Sequence, residues 1–286
     1  MTAKVIAFIN YKGGVAKTTT TYHIGCSLAQ HCNKKVLFID IDPQTNLSFL
    51  CAPIDEWENF KKTRGTIATM YRRFLEKKPI DTMKFVWQQP VGAALKKRIS
   101  TLDLIPCDID LIGEDLGGGS VSGSFPSLEM VRRQCRQYLR DRSFLRRVFS
   151  ELQDKYDYIL IDCPPNLYLM TQNALIAARW YVVTAIPDHL STIGLNILQR
   201  KVRHIGELLK SAKTFAGDTG RMRVADIGGI IFVRVRLGGS MITNVHRNTM
   251  AEVQSQQQEN LCFPTYTTEL IGYGEAAEPR DGIALR

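Results

Sequence analysis

Residues Phe8 to Gly25 read FINYKGGVAKTTTTYHIG, and the reading of this stretch decides the fold. It has the outline of a phosphate-binding loop with its glycines displaced. The common form, G-x-x-x-x-G-K-[ST], accepts Lys17 and Thr18 but asks for glycine where Tyr11 and Ala16 stand. The glycines come instead at Gly13 and Gly14, directly after an additional lysine, Lys12. An apolar run, Val5 to Ile9, precedes the loop, and a helical stretch from Thr18 to His31 follows it. Between a strand and a helix, consecutive backbone N–H groups and the positive end of the helix dipole converge on an anion. Gly13 and Gly14 let the backbone approach oxygen closely, Lys17 would meet the β and γ phosphates, and Thr18 would ligate Mg²⁺. The alternative is a plain glycine turn between the two elements.

Outward from the loop, β-branched apolar runs alternate with helical segments. KVIAFIN, KVLFIDI, TLDLIP, YDYILID, WYVVTAI and ADIGGIIFV read as buried strands. Thr18–His31, Ser127–Leu152, Ser191–Ser211 and Ile242–Gln258 read as helices. This alternation predicts an α/β fold, a mostly parallel twisted sheet with helices on both faces, built as one domain over residues 1–286. Residues 53–100 form a mixed, partly helical region around TIATMYRRFLEKK, and the Gly/Ser-rich run at 116–125 predicts a mobile loop.

Two strand ends supply carboxylates. VLFIDIDPQTN places Asp40 and Asp42 on the sheet edge that carries the loop, because alternate strand residues share a face. YDYILIDCPPN ends in Asp162, where phosphate-loop NTPases keep the acidic residue that holds magnesium through water. One such carboxylate could simply cap a turn. Three strand ends carrying lysine, paired aspartates and aspartate-proline make a nucleotide site.

Composition excludes several classes. Seven cysteines are scattered without a C-x-x-C pair, which argues against a disulfide framework, a zinc site and an iron-sulfur site. No apolar run approaches the roughly 20 residues of a membrane helix, and the N-terminal run lacks a signal-peptide cleavage site. A cytoplasmic location is expected. A net charge of +9 favours an acidic partner.

NYKGGVAKTTTTYHIG, VLFIDIDPQTNLS and YILIDCPPN together resemble the ParA/MinD group of deviant Walker A ATPases, closest to the ParA partition proteins. LDLIPCDIDLIGEDL has the same look. The resemblance implies a slow Mg²⁺-dependent ATPase whose ATP is held by Lys12, Gly13, Gly14, Val15, Ala16, Lys17, Thr18 and Thr19, with Asp40 and Asp162 supporting them. Magnesium would be held by Thr18 and, through water, by Asp40 and Asp162. Lys17 would act in its own subunit and Lys12 across the interface of an ATP-dependent homodimer, while Asp42 would orient the attacking water. Ala16 departs from the family's more frequent glycine, and FVRVRLGGS replaces the segment where adenine contacts would be sought. The family also implies a ParB-like adaptor that stimulates hydrolysis, and a nucleoid-associated protein that positions plasmid, chromosome or other cargo.

Neighbouring functions carry less support. GEAAEPRDGIALR lacks the amphipathic stripe of MinD-like membrane ATPases, so no membrane partner is expected. Carboxysome- or chemoreceptor-positioning relatives and small-molecule ligases or kinases on this loop remain alternatives. Sequence-specific repression is not expected, since no helix-turn-helix precedes the loop.

Two segments are strongly basic. VRRQCRQYLRDRSFLRRV, Val131–Val148, reads equally as an outer helix layer and as a binding surface. The second, Leu198–Val224, contains Arg200, Lys201, Arg203, Arg221 and Arg223, and Arg203 falls where similar ParA proteins place a DNA-contacting arginine. With Arg247, these residues are the candidate contacts to non-specific double-stranded DNA, whose binding should fall steeply with salt.

Overall fold

The computed structural model describes residues 2–90, 99–115, 127–239, 241–257 and 260–269. The chain opens with β1 (Lys4–Ile9), α1 (Lys17–His31) and β2 (Val36–Asp40). Short helices α2 (Asn46–Cys51), α3 (Ile54–Thr63) and α4 (Ile67–Leu75) lead through β3 (Trp87–Gln88) to β4 (Leu102–Ile105) and α5 (Leu111–Asp115). Then come α6 (Leu128–Asp141), α7 (Phe144–Leu152), β5 (Tyr158–Asp162), α8 (Leu169–Ala177) and β6 (Trp180–Ala185). The 28-residue α9 (His189–Ala216) precedes β7 (Asp226–Val235). A small hairpin, β8 (Leu237–Gly238) and β9 (Met241–Ile242), is followed by α10 (Asn244–Gln256) and β10 (Cys262–Thr268).

The eight strands of the main sheet lie in the order β10-β7-β6-β1-β5-β2-β4-β3, all parallel except the short β3. Every residue of β2 is buried, as is expected where helices cover both faces of a parallel sheet. Phe38 faces a layer formed by Tyr22, Cys26 and Ala29 of α1 with Leu47 and Cys51 of α2. Leu37 and Ile39 face the other layer, with Met70 of α4, Leu145 and Val148 of α7, Leu175 of α8 and Leu198 of α9. The helix α1 lies very close to the sheet at Gly25, where an added Cβ would stand 2.1 Å from the Phe38 ring.

All six predicted strands form. The predicted helix Ser127–Leu152 is two helices instead, broken at Arg142 and Ser143. Arg142 is buried there, with its guanidinium 3.5 Å from the Tyr138 ring centroid and Nε donating to Gln172 Oε1 at 2.7 Å. β10 was not foreseen, because an edge strand of largely exposed residues, interrupted by Pro264, carries no apolar alternation. The predicted loop at 116–125, residues 91–98 of the mixed region and the C-terminal segment GEAAEPRDGIALR lie outside the described residues. Among the described residues no helix is long and apolar enough to cross a membrane.

Candidate nucleotide site

Parallel pairing places the C-terminal ends of β1, β5 and β2 side by side, with Phe8 opposite Asp162 and Asp162 opposite Asp40. The loop leaves β1 at Asn10. Its side chain donates to the Thr184 carbonyl of β6 at 2.8 Å and accepts from the Lys12 N–H at 3.0 Å, which fixes where the loop begins. Gly14 has φ 72° and Ala16, the N-cap of α1, has φ 52°. Glycine fits that left-handed position without penalty. Alanine holds the same geometry at a cost of about 1 kcal/mol, so the departure at Ala16 keeps the loop's shape.

Lys17, in the first turn of α1, is only 7% exposed. Burial lowers its pKa, while Asp162 and Asp42 push it back up. The three aspartates are differently engaged. Asp40, fully buried, accepts from the Asp42 N–H at 3.1 Å through Oδ1, and from the Ser48 N–H at 2.9 Å and hydroxyl at 2.7 Å through Oδ2. Its pKa nevertheless rises to about 7, because burial outweighs those bonds. Asp42 accepts from the Gln44 N–H at 3.0 Å, and burial raises its pKa as well. Asp162 is also raised well above the ordinary carboxylate value, by burial first and then by the neighbouring Asp40. Neither of its buried oxygens receives a well-formed hydrogen bond, although the Thr18 hydroxyl is near enough to oppose the shift.

An orphaned buried carboxylate beside a threonine hydroxyl is a hard-oxygen donor set that fits Mg²⁺. Among the described residues no three His, Cys, Asp or Glu side chains gather into a metal cage. Within the set, Asp162 and Thr18 are open, whereas Asp40 is committed to Ser48 and to the backbone of Asp42. Of the aspartates predicted to support magnesium, Asp40 also positions its neighbours, through its bonds to Ser48 and to the Asp42 N–H. Ser48, which also accepts from the Cys107 N–H at 3.0 Å, escaped the sequence reading. No local pattern links it to Asp40.

Gly13, Gly14, Val15, Ala16, Lys17, Thr18 and Thr19 line one wall of an open cavity of about 530 Å³. Asp42, Phe49 and Pro165 are among the residues of the facing wall. Lys12 is not part of this lining. Its ammonium turns the other way, 2.9 Å from Asp188 Oδ2 and 3.3 Å from the Ser191 hydroxyl at the start of α9. Burial pushes the Asp188 carboxyl up, but bonds from Lys12 and Ser191 more than offset this and hold it below its ordinary value. Asp188 was also missed by sequence, since 176 residues separate it from Lys12.

Of the candidate DNA residues, Arg203 lines a cavity with Val224 and Asp226, the neighbours of Arg223, and Arg247 stands apart from them. Arg200, Lys201 and Arg203 are exposed along the middle of α9, with no carboxylate partner among the described residues. Arg221 and Arg223 follow the C-terminal end of this helix, and Arg223 is paired with Asp226 at 2.9 Å. Arg247 lies in the first turn of α10, at the opposite, loop-bearing edge of the sheet, and donates to the Ile242 carbonyl at 3.1 Å. A helix of 28 residues spans about 42 Å, so Arg247 and Arg221 sit at opposite ends of the molecule's side. In the other basic segment, Arg140 donates to the Phe74 and Leu75 carbonyls at the end of α4, and Arg140 and Arg147 both lie 5.5 Å from the Phe74 ring centroid. Those arginines are largely engaged in holding helices together.

The fold and this edge define a phosphate-loop nucleotide-binding protein of the α/β class. Residues 3–214 match the model of an AAA domain family. The chain is 31% identical to the chromosome-partitioning ATPase Soj of Treponema pallidum over 214 residues, 75% of this chain and 69% of the relative. Other curated relatives, ParA family proteins of Chlamydia, are matched over 63% and 66% of their length, so the chain spans about two thirds of these proteins. It belongs to the ParA family. An ATP complex of McdA from Cyanothece shares the fold with TM-score 0.67 at 20% identity, covering 99% of this chain and 90% of that one. Cobyrinic acid a,c-diamide synthase from Mycobacterium smegmatis, with ADP and magnesium bound, does so with TM-score 0.63 at 21% identity, covering 96% and 91%.

Proposed function

We propose that the chain is a partition-type ATPase that closes into a sandwich dimer on ATP, binds DNA without sequence preference in that state and positions a cargo through an adaptor. The observation that carries this reading is the division between the two lysines of the loop. Lys17 is buried against the cavity, whereas Lys12 stands outside its own cavity and is held by Asp188. A lysine so placed can be delivered to a nucleotide in a second subunit, where it would compensate charge developing on the transferring phosphoryl group. Exposed apolar side chains follow the strand ends of the same edge, namely Tyr11 after β1, Tyr168 after β5, Ile193 after β6 and Met241 and Val245 after β7, which suits a face buried in a dimer.

In this reading Lys17 and the loop N–H groups bind the β and γ phosphates, and Asp42, at the cavity wall, orients the attacking water. Magnesium, held by Thr18 and near Asp162, would supply charge neutralisation on the phosphates. The exposed, carboxylate-free cations of α9 are the strongest support for a DNA-binding role over a small-molecule ligase with the same fold. Each subunit offers few of them. Doubling the footprint in the dimer makes DNA affinity depend on ATP.

Mobility shifts with non-specific duplex DNA test the reading. The Asp42→Ala variant with ATP and Mg²⁺ is expected to hold ATP unhydrolysed and to shift DNA, and the ADP form to leave it free. Equal affinity with ADP and ATP would rule out a nucleotide-switched DNA site, and undiminished turnover in Asp42→Ala would remove that residue from the reaction.

A further inference from the structure

Beside the loop stands an arginine that none of the nucleotide motifs contains. Arg234, the penultimate residue of β7, donates from Nη1 to the Gly14 carbonyl at 3.4 Å, across 220 residues of sequence. Its other guanidinium nitrogen, Nη2, lies 2.6 Å from Glu269 Oε1, and Glu269 Oε2 accepts from Arg236 Nε at 2.9 Å. Burial of this carboxylate is slight, and the bonds from Arg234 and Arg236 hold its pKa below the ordinary value.

The backbone is built to aim this side chain. Arg234 has φ 53°, a left-handed conformation that non-glycine residues adopt only where the surroundings impose it. The pairing of β7 with β10 shifts register at the same point: from the pair Phe232 and Tyr266 to the pair Val235 and Thr268, β7 advances by one residue more than β10. An extra residue in one strand bends it and re-aims a side chain, a device found beside active sites. Here it turns Arg234 away from the strand's regular alternation and toward the loop.

The consequence lies in one peptide unit. The amide joining Gly14 to Val15 is planar and trans, so its carbonyl and its N–H point in opposite directions. Val15 lines the nucleotide cavity, and Gly14, at φ 72° without a side chain, is the residue freest to let this unit rotate. We infer that Arg234 is a positioning residue for the phosphate loop: by holding the Gly14 carbonyl outward it keeps the Val15 N–H directed at a bound phosphate oxygen. Glu269 fixes the guanidinium for this task, which ties the edge strand β10 to the nucleotide site. The inference rests on the nucleotide-binding reading above and adds a determinant of affinity to it.

Titration with a fluorescent N-methylanthraniloyl ATP in the presence of Mg²⁺ tests it, using wild type, Arg234→Gly and Arg236→Met. Glycine relieves the left-handed backbone as it removes the guanidinium, so Arg234→Gly should melt close to wild type and still bind the nucleotide about tenfold more weakly, the scale of one charge-assisted hydrogen bond removed. Arg236→Met removes a cation from the same carboxylate without touching the loop, and should bind within about twofold of wild type. In turnover, the loss in Arg234→Gly should appear in KM, with kcat nearly unchanged. Wild-type affinity in Arg234→Gly would overturn the inference, as would an equal loss in Arg236→Met, which would make the effect one of general charge. A wild-type chain that bound no nucleotide would sink the nucleotide reading itself.

Discussion

The centre of the loop-bearing edge and its outer end are built differently. At the centre, β1, β5 and β2 pair in unbroken register, and Asp40, Asp162 and Lys17 are buried where the strand ends meet. At the outer end, β7 and β10 pair through two register shifts, Arg234 has positive φ, and Arg234, Arg236 and Glu269 stay partly in solvent. The centre buys chemistry with desolvation. Its groups interact strongly because water is excluded, and each is held by neighbours that cannot move without opening the core. The outer end works by long side chains in a screened medium, where each contact is weak and several must act together. Substitutions at the centre should therefore abolish a function, and substitutions outside it should tune one.

The largest effect is expected at Lys17. Removing the buried cation that would meet the phosphates costs about 2–5 kcal/mol of binding, so Lys17→Ala should weaken nucleotide binding by at least about thirtyfold in the same fluorescence titration. A loss of only severalfold would place Lys17 with the outer group. Stability gives a second contrast. In Gly25→Ala the new methyl would collide with the Phe38 ring, an overpacking that costs about 1–3 kcal/mol and lowers the melting temperature by several degrees. The same substitution at Gly239, where an added Cβ meets nothing but φ is 69°, costs about 1 kcal/mol of backbone strain and should shift it less. A smaller effect is expected along α9. Replacing Arg200, Lys201 and Arg203 together should flatten the salt dependence of DNA binding by about one unit of slope for each phosphate that is no longer neutralised. The smallest belongs to Arg147, which packs on Phe74. Arg147→Ala should change DNA affinity by less than about twofold, and a larger loss would move the DNA surface to α6 and α7.

The same division explains what could be read from sequence. The central strands, the displaced glycines and the aspartates at two strand ends follow from local periodicity and motif spacing, because a buried parallel strand dictates its own residues. The site's supports do not. Asp188 with Lys12 and Arg234 with Gly14 are pairings between distant segments, visible only once the sheet order is known, and Ser48 reaches back to Asp40 only because the turn after β2 folds α2 over the strand end. Arg142 shows the converse. It sits in a run that reads as a continuous basic helix, yet it is buried at the break between α6 and α7, with its guanidinium over the Tyr138 ring. Charge patterning alone could not place Arg247 relative to the others: Arg223 reaches Asp226 on the cavity that Arg203 lines, whereas Arg247 stands on α10 at the loop-bearing edge.

The central claim is that Lys12 serves a second subunit. It is tested most directly by light scattering in ATP and Mg²⁺ on Asp42→Ala and on the double variant Lys12→Ala with Asp42→Ala, with nucleotide affinity measured on the same samples. Asp42→Ala is expected at about twice the mass of one chain, and the double variant at a single-chain mass with its nucleotide still bound. A dimeric double variant, or one that has lost the nucleotide as a monomer, would contradict the claim, the second result by returning Lys12 to its own cavity.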